Sequence, residues 1–176
     1  MTTSDEAMAL AAAGGDAEAF SALITRHYDR VFRLSFRLLG ITAEAEDLTQ
    51  DICAALPAKI RAFRGDAKFT TWLYRVVMNA AHDRRRRAAS HARAADGWGE
   101  VEVARRAEAI EAAEALDWLT LAMTALPDDL RDTVALVMDE MTHSEVAAVL
   151  DVSEGTVSWR MSEVKKRLRE MKESLA

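Results

Sequence analysis

The stretch that decides the fold is THSEVAAVLDVSEGTVSWRMSEVKKRL, residues 142–168. Its apolar residues recur mostly at intervals of three and four, which predicts two consecutive amphipathic helices. Thr142 and Glu145 have the spacing of a capping box, so the first helix is expected to begin there. Asp151 follows the small Ala147 at the turn where a helix-turn-helix needs a left-handed backbone, and aspartate tolerates that conformation better than most residues.

The second of these helices carries a face that suits a DNA groove. Ser153 is its predicted N-cap, and Val157 is expected to pack it on the first helix. In a helix-turn-helix the second helix enters the major groove, where its outward side chains contact base edges. The outward positions and neighbouring cations are Glu154, Ser158, Trp159, Arg160, Ser162, Lys165 and Arg169. A plain helical hairpin would share much of this pattern, and that alternative stays open on these residues alone.

Helical periodicity also runs through most of the remaining chain, and strand alternation is almost absent. Residues 88–107 lose this periodicity and are rich in Ala, Arg and Glu, which predicts a linker. A length of 176 residues leaves room for two small domains. We therefore predict an all-α fold with two independent helical units joined by a mobile linker. The expected boundaries are 1–90 for the first unit, 91–112 for the linker and 113–176 for the second unit.

The net charge of −6 is unevenly distributed along the chain. Residues 1–87 carry a net charge of +2, whereas the blocks 88–126 and 127–176 carry −4 each. Within these blocks, 84–87 is a run of four arginines and 165–169 is a second basic cluster. Two local basic clusters on an acidic protein predict two separate contacts with polyanions. Alternatively, each cluster is a solvated helix end that the helix dipole favours.

Several classes of function find no support in the sequence. No apolar run approaches the roughly 20 residues that span a bilayer, and the acidic N-terminus lacks the pattern of a secretory signal. The single cysteine, Cys53, fits a reducing cytoplasm. The four histidines lack metal-ligand spacing, and no glycine-rich phosphate loop is present. We expect a cytoplasmic, non-enzymatic protein without membrane insertion, metal, cofactor or small-molecule substrate.

Two blocks of sequence resemble regions 2 and 4 of the extracytoplasmic-function (ECF) sigma factors of bacterial RNA polymerase. The region-2 resemblance rests on residues 28–40, 45–51, 63–66, 71–75 and Asn79, and the region-4 resemblance rests on residues 126–134, 144–147 and 154–161. The blocks occur in the order of the family with a linker between them. The resemblance implies a region-2 helical bundle and a region-4 helix-turn-helix. It also implies a factor that binds core RNA polymerase and promoter DNA, in a stress response controlled by an anti-sigma factor.

The resemblance also assigns roles to residues of the first unit. Asp47, Gln50 and Asp51 share one helix face, and the resemblance implies that this face binds core polymerase. The residues that it implies for recognition and melting of the −10 element are Phe63, Arg64, Lys68, Arg75, Asn79, Arg84, Arg85 and Arg86. Cations suit the phosphates, and hydrogen-bonding or flat groups suit an unstacked base. Phe63, Phe69 and Trp72 fit a core role as well as a DNA-facing one, and both readings stay open.

In the second unit the resemblance implies recognition of the −35 element by Ser158, Trp159, Arg160, Ser162, Lys165 and Arg169. Glu163 departs from the family, because many members carry basic residues around this position. Its carboxylate can accept a hydrogen bond from cytosine but repels phosphate, so the promoter sequence cannot be transferred from relatives.

Two other classes of protein remain as alternatives. One is a repressor or activator that binds DNA through residues 142–170 without joining polymerase. The other is a helical interaction protein with no DNA role.

Overall fold

The computed structural model describes residues 3–94 and 118–174, and every regular element in these two ranges is helical. The first half contains α1 (Asp5–Ala13), α2 (Ala17–Leu39), α3 (Thr42–Lys59), a 3₁₀ turn (Ile60–Ala62) and α4 (Phe69–Ala94). The second half contains α5 (Trp118–Thr124), α6 (Asp128–Val137), α7 (His143–Leu150) and α8 (Glu154–Glu173). The all-α prediction is confirmed. Of the predicted linker, 91–94 form the end of α4, and the remainder lies outside the described residues.

The helix-turn-helix of the second half is encoded locally. The hydroxyl of Thr142 accepts the Glu145 N–H at 3.2 Å, and the Glu145 carboxylate accepts the Thr142 N–H at 3.0 Å, which completes the predicted capping box. Asp151 adopts the predicted left-handed conformation, with φ of 55°. The hydroxyl of Ser153 then accepts the Thr156 N–H at 3.1 Å and begins α8. Both helices therefore start and stop where the sequence predicts.

In the first half, α2 lies at the centre and packs against α1, α3 and α4. The apolar stripes of these helices form the core, whose fully buried members include Leu23, Leu34, Leu38, Leu56, Leu73, Tyr74 and Val77. Burying such side chains removes about 1.5–3 kcal/mol each of unfavourable hydration, so the apolar stripes drive the assembly of this bundle. The core places the start of α4 and the loop before it at one end of the bundle.

The two halves of the described chain contact each other through polar side chains. Asp139 at the end of α6 accepts hydrogen bonds from the Tyr74 hydroxyl and, at 3.3 Å, from Arg37. Burial and the bond to Asp139 raise the pKa of Tyr74 above its usual range. The buried guanidinium of Arg131 donates to the Leu38 carbonyl at 3.3 Å. Polar groups that are distant in sequence therefore hold the halves together.

Gly40 marks the point where the end of α2 meets α5. Its φ of +77° lies in the left-handed region, and its N–H donates to the Phe36 carbonyl at 2.7 Å. A Cβ at this position would collide with the Thr124 side chain. The glycine is therefore needed both for the backbone conformation and for the close approach of the two halves.

Candidate polymerase and promoter interfaces

The predicted polymerase-binding face lies on α3. Asp47, Gln50 and Asp51 are all exposed, whereas Leu48 and Ile52 on the opposite side of the helix are buried. The Asp47 side chain is 68% exposed. The acidic face is therefore available to a partner protein without disturbing the core.

Arg84 lies beside this acidic face. Its guanidinium donates to the Glu44 carbonyl at 3.2 Å and lies 3.7 Å from the Asp47 carboxylate. The sequence grouped Arg84 with the −10 residues of α4, but in the structure its side chain is turned toward α3. Arg84 therefore links α4, which carries the predicted −10 residues, to the predicted polymerase-binding face of α3.

The aromatic side chains around the 63–68 loop form a cluster beneath it. Phe63 lies 5.8 Å from Phe69 and 5.7 Å from Trp72 between ring centroids, in edge-to-face contacts. Phe63 is 5% exposed and Phe69 1%, whereas Trp72 is half-buried against the core. Phe63 therefore does not face solvent as a DNA-contacting residue would. It packs beneath the loop, because burial of an apolar ring is more favourable in free energy than its exposure to water. Arg64 remains exposed.

Three of the predicted −10 cations are engaged by the second half of the chain. Lys68 donates to Glu145 at 2.8 Å, and Arg75 donates to the Ala148 carbonyl at 3.0 Å. Arg85 donates to Asp132 at 2.7 Å. Helix α7 and the acidic side of α6 therefore lie over part of the predicted −10 surface. No short sequence pattern could have predicted these pairs, because the partners are separated by 47 to 77 positions.

The ion pair between Lys68 and Glu145 shifts the pKa values of both side chains. The hydrogen bonds from Lys68 and Thr142 lower the pKa of Glu145 to about 2, and the same pair raises the pKa of Lys68. Glu145 thus serves both as the capping residue of α7 and as a contact between the two halves.

Two other predicted −10 residues stay at the surface. Asn79 is exposed and lines a groove of about 460 Å³ between α3 and α4 together with Asp51 and Arg87. The Arg86 side chain is 78% exposed and pairs with Asp83 at 2.9 Å. The groove brings a hydrogen-bonding amide and an arginine together next to the predicted polymerase-binding face.

The predicted −35 face of α8 is exposed along most of its length. Trp159 is 62% exposed, and the exposed residues around it are Ser158, Ser162, Lys165 and Arg169. Val157 and Val164 on the inner side are buried, as a groove-binding helix requires. Arg160 is the exception, because its side chain is 18% exposed and lies 3.6 Å from Asp129 of α6.

Two further contacts involve side chains on or beside the predicted −35 face of α8. The Nδ1 atom of His143 lies 3.0 Å from the Ser158 hydroxyl, so the first helix of the motif steadies a residue on the recognition face. Arg167 donates to Glu163 at 3.0 Å. The negative charge of Glu163 is therefore partly compensated within the helix.

In residues 3–94 and 118–174, no cluster of three or more His, Cys, Asp or Glu side chains could hold a metal ion. No helix in the described part of the chain has the length and apolar character to span a bilayer.

The chain matches two family models and several characterised proteins. Residues 23–91 match Sigma-70 region 2, and residues 116–168 match Sigma-70, region 4. The chain is 30% identical over 172 residues to the ECF RNA polymerase sigma factor SigW of Bacillus subtilis, an alignment that covers 88% of this chain and 89% of SigW. It is 36% identical over 169 residues to the ECF RNA polymerase sigma factor SigM of Mycobacterium tuberculosis, with coverage of 94% and 83%.

A solved structure agrees with these sequence matches. CnrH, in complex with the cytosolic domain of CnrY, superposes with a TM-score of 0.71 at 26% sequence identity and covers 98% of this chain and 99% of CnrH. The two regions, their order and the relatives all point to one family. This chain belongs to the ECF sigma factors of RNA polymerase.

Proposed function

We propose that this protein binds core RNA polymerase through α3 and directs it to promoters that it recognises at two separate elements. The observation that carries this proposal is the pairing, on one chain, of an exposed acidic face with a helix-turn-helix whose α8 face is open. Like sigma factors in general, the protein is a transcription initiation factor and not an enzyme.

The upstream element is assigned to the exposed face of α8. Ser158, Trp159 and Ser162 lie at the centre of that face, where side chains reach base edges in the major groove. Lys165 and Arg169 lie further along the helix and suit the phosphate backbone, where a contact adds affinity on every sequence. Arg160 contributes less directly, because Asp129 already pairs with it.

The downstream element is assigned to the 63–68 loop and to the start and outer face of α4. Arg64, Lys68, Arg75, Arg85 and Arg86 supply cations for the backbone, and Asn79 supplies an amide that can bond to a base edge. Opening a duplex without ATP requires that binding energy favour the open strand. Capture of one unstacked base costs a few kcal/mol of stacking and returns hydrogen bonds and new contacts.

Transcription with purified components tests this proposal. Core polymerase should give promoter-specific run-off products on genomic fragments only when the protein is added. The double variant Asp47→Arg, Asp51→Arg should keep the circular dichroism spectrum of a helical protein, since both side chains are exposed. It should no longer co-purify with core enzyme, because the charge of the proposed binding face is reversed. Glu170→Arg, an exposed charge reversal on α8, is the matched control and should co-purify like the wild type. Unchanged co-purification of the double variant would refute the assignment of α3.

Footprinting and DNA-binding measurements with and without core enzyme separate the rival functions. A repressor or activator that works without polymerase should protect a palindromic site by itself, whereas a sigma factor needs core enzyme to select an asymmetric promoter. A helical interaction protein should show no salt-dependent DNA affinity in either state.

The partner that regulates the protein is proposed to be an anti-sigma factor, and the setting a stress response in the cytoplasm, where polymerase and chromosome lie. Family membership supports this, and the related CnrH is seen in complex with the cytosolic domain of another protein. Affinity capture of the full chain from stressed and unstressed cells tests it. A partner that blocks run-off transcription when purified and added back is the expected result.

A further inference from the structure

Helix α1 lies outside the part of the chain that matches region 2, which begins at residue 23. It nevertheless packs across the end of the bundle where the 63–68 loop leads into α4. Met8, Ala9 and Ala12 bury the inner side of α1 in the core. This helix is therefore part of the folded unit and lies next to the residues that the proposed function assigns to the −10 element.

Two side chains of α1 contact the loop and the start of α4. The Glu6 carboxylate accepts the backbone N–H of Phe69, the first residue of α4, at 3.3 Å. Lys68 immediately before it has no acceptor in its side chain, so Glu6 of α1 satisfies one of the free N–H groups in the first turn of α4. Within the loop, the Leu10 methyl groups lie 3.7 Å from the position that a Cβ on Gly65 would occupy.

The position of α1 is itself fixed by polar contacts to α2. The Asp5 carboxylate accepts a hydrogen bond from Arg26 at 2.6 Å and lies 2.8 Å from Nε2 of the buried His27. The His27 ring in turn packs edge-on against Phe69, with 5.3 Å between ring centroids. A chain of contacts therefore runs from the core through α1 to the first turn of α4.

We infer that α1 positions the −10 loop, with Glu6 and Leu10 as positioning residues that set its selectivity for the captured base. Glu6 fixes the position of the first turn of α4, the helix that carries Arg75 and Asn79. Leu10 packs against the left-handed turn at Gly65. This inference rests on the proposed function, since it assigns a role to the loop that captures the base. Neither residue needs to contact DNA.

The test uses the full chain in holoenzyme with core polymerase. Run-off transcription is measured on a promoter and on derivatives with single base changes in the −10 element, which yields a discrimination ratio. Glu6→Ala should lower that ratio about fivefold, the size of effect expected from loss of one helix cap, while core binding stays unchanged. Glu6→Gln keeps an oxygen acceptor and should restore most of the ratio. Leu10→Ala should act in the same direction.

Glu18→Ala, an exposed substitution at the start of α2, is the matched control and should leave the ratio unchanged. An unchanged ratio in Glu6→Ala would overturn the inference. So would an equal loss on all templates with no rescue by Glu6→Gln, because that result indicates a general effect on folding. Failure of the wild type to give promoter-specific products would instead refute the proposed function, so the two failures are distinguishable.

Discussion

Asp132 is the place where a single substitution should loosen the contact between the two halves. Its side chain is 6% exposed, accepts a hydrogen bond from Arg85 at 2.7 Å and lies 2.5 Å from the His82 ring nitrogen. Asp132→Asn keeps the volume and one oxygen acceptor but removes the negative charge. The Arg85 side chain is itself only 12% exposed, so the charge that remains is poorly solvated.

The expected magnitude follows from these contacts. Removing one partner of a fully buried ion pair costs about 3–5 kcal/mol. Here the asparagine oxygen can still accept a hydrogen bond, and Arg85 keeps a second partner in Asp128 at 3.1 Å. The contact should therefore weaken by about 1–2 kcal/mol, which changes an equilibrium by a factor of about 5–30.

Single-strand binding by the protein alone is the assay. Arg85 is proposed to contact the −10 strand, so docking of the second half and binding of the strand compete for the same guanidinium. Fluorescence anisotropy with a labelled −10 oligonucleotide should show affinity for Asp132→Asn raised about fivefold or more over the wild type. Glu170→Gln changes the net charge equally at an exposed site on α8 and serves as the control. Equal affinities for the wild type and Asp132→Asn, or an equal gain in the control, would refute the competition.

Three further predictions concern stability. Arg131→Met should lower the free energy of unfolding in urea by about 1–3 kcal/mol, because it leaves buried backbone carbonyls without their hydrogen-bond donor, whereas the exposed Arg169→Met should stay within about 0.5 kcal/mol. Gly40→Ala should lower the melting temperature through its left-handed φ of +77° and the collision described above, whereas a Cβ on Gly155 meets only the Ser153 hydroxyl at an ordinary contact distance of 3.7 Å, so Gly155→Ala should not; equal melting temperatures would count against this account. Glu145 has a folded-state pKa of about 2, below the ordinary value of 4.5, so its contribution should be present above pH 4.5 and disappear as the pH falls toward 2. The difference in unfolding free energy between the wild type and Glu145→Gln, measured across that range, should shrink accordingly, and a constant difference would contradict the prediction.

The local parts of this protein could be predicted from sequence because adjacent residues determine them. The capping box at Thr142 and the left-handed turn at Asp151 depend on side chains within a few positions of each other. The exposure of Asp47 and Trp159 follows from helical periodicity, since one face of each helix must be buried and the other is then solvated. These local patterns do not depend on how the remainder of the chain packs.

What only the tertiary structure decided is which partner each exposed cation meets. Arg84 turns toward α3, Arg75 bonds to a carbonyl of α7, and Phe63 lies in the core although an exposed arginine follows it. Each outcome depends on how the helices and the two halves dock, and the interacting atoms belong to residues far apart in the chain. A basic residue in sequence shows only that a positive charge is present. Whether phosphate, a carboxylate or a backbone carbonyl neutralises it is decided by the geometry of packing, because Coulomb energy and hydrogen bonding act over a few ångströms in space rather than along the chain.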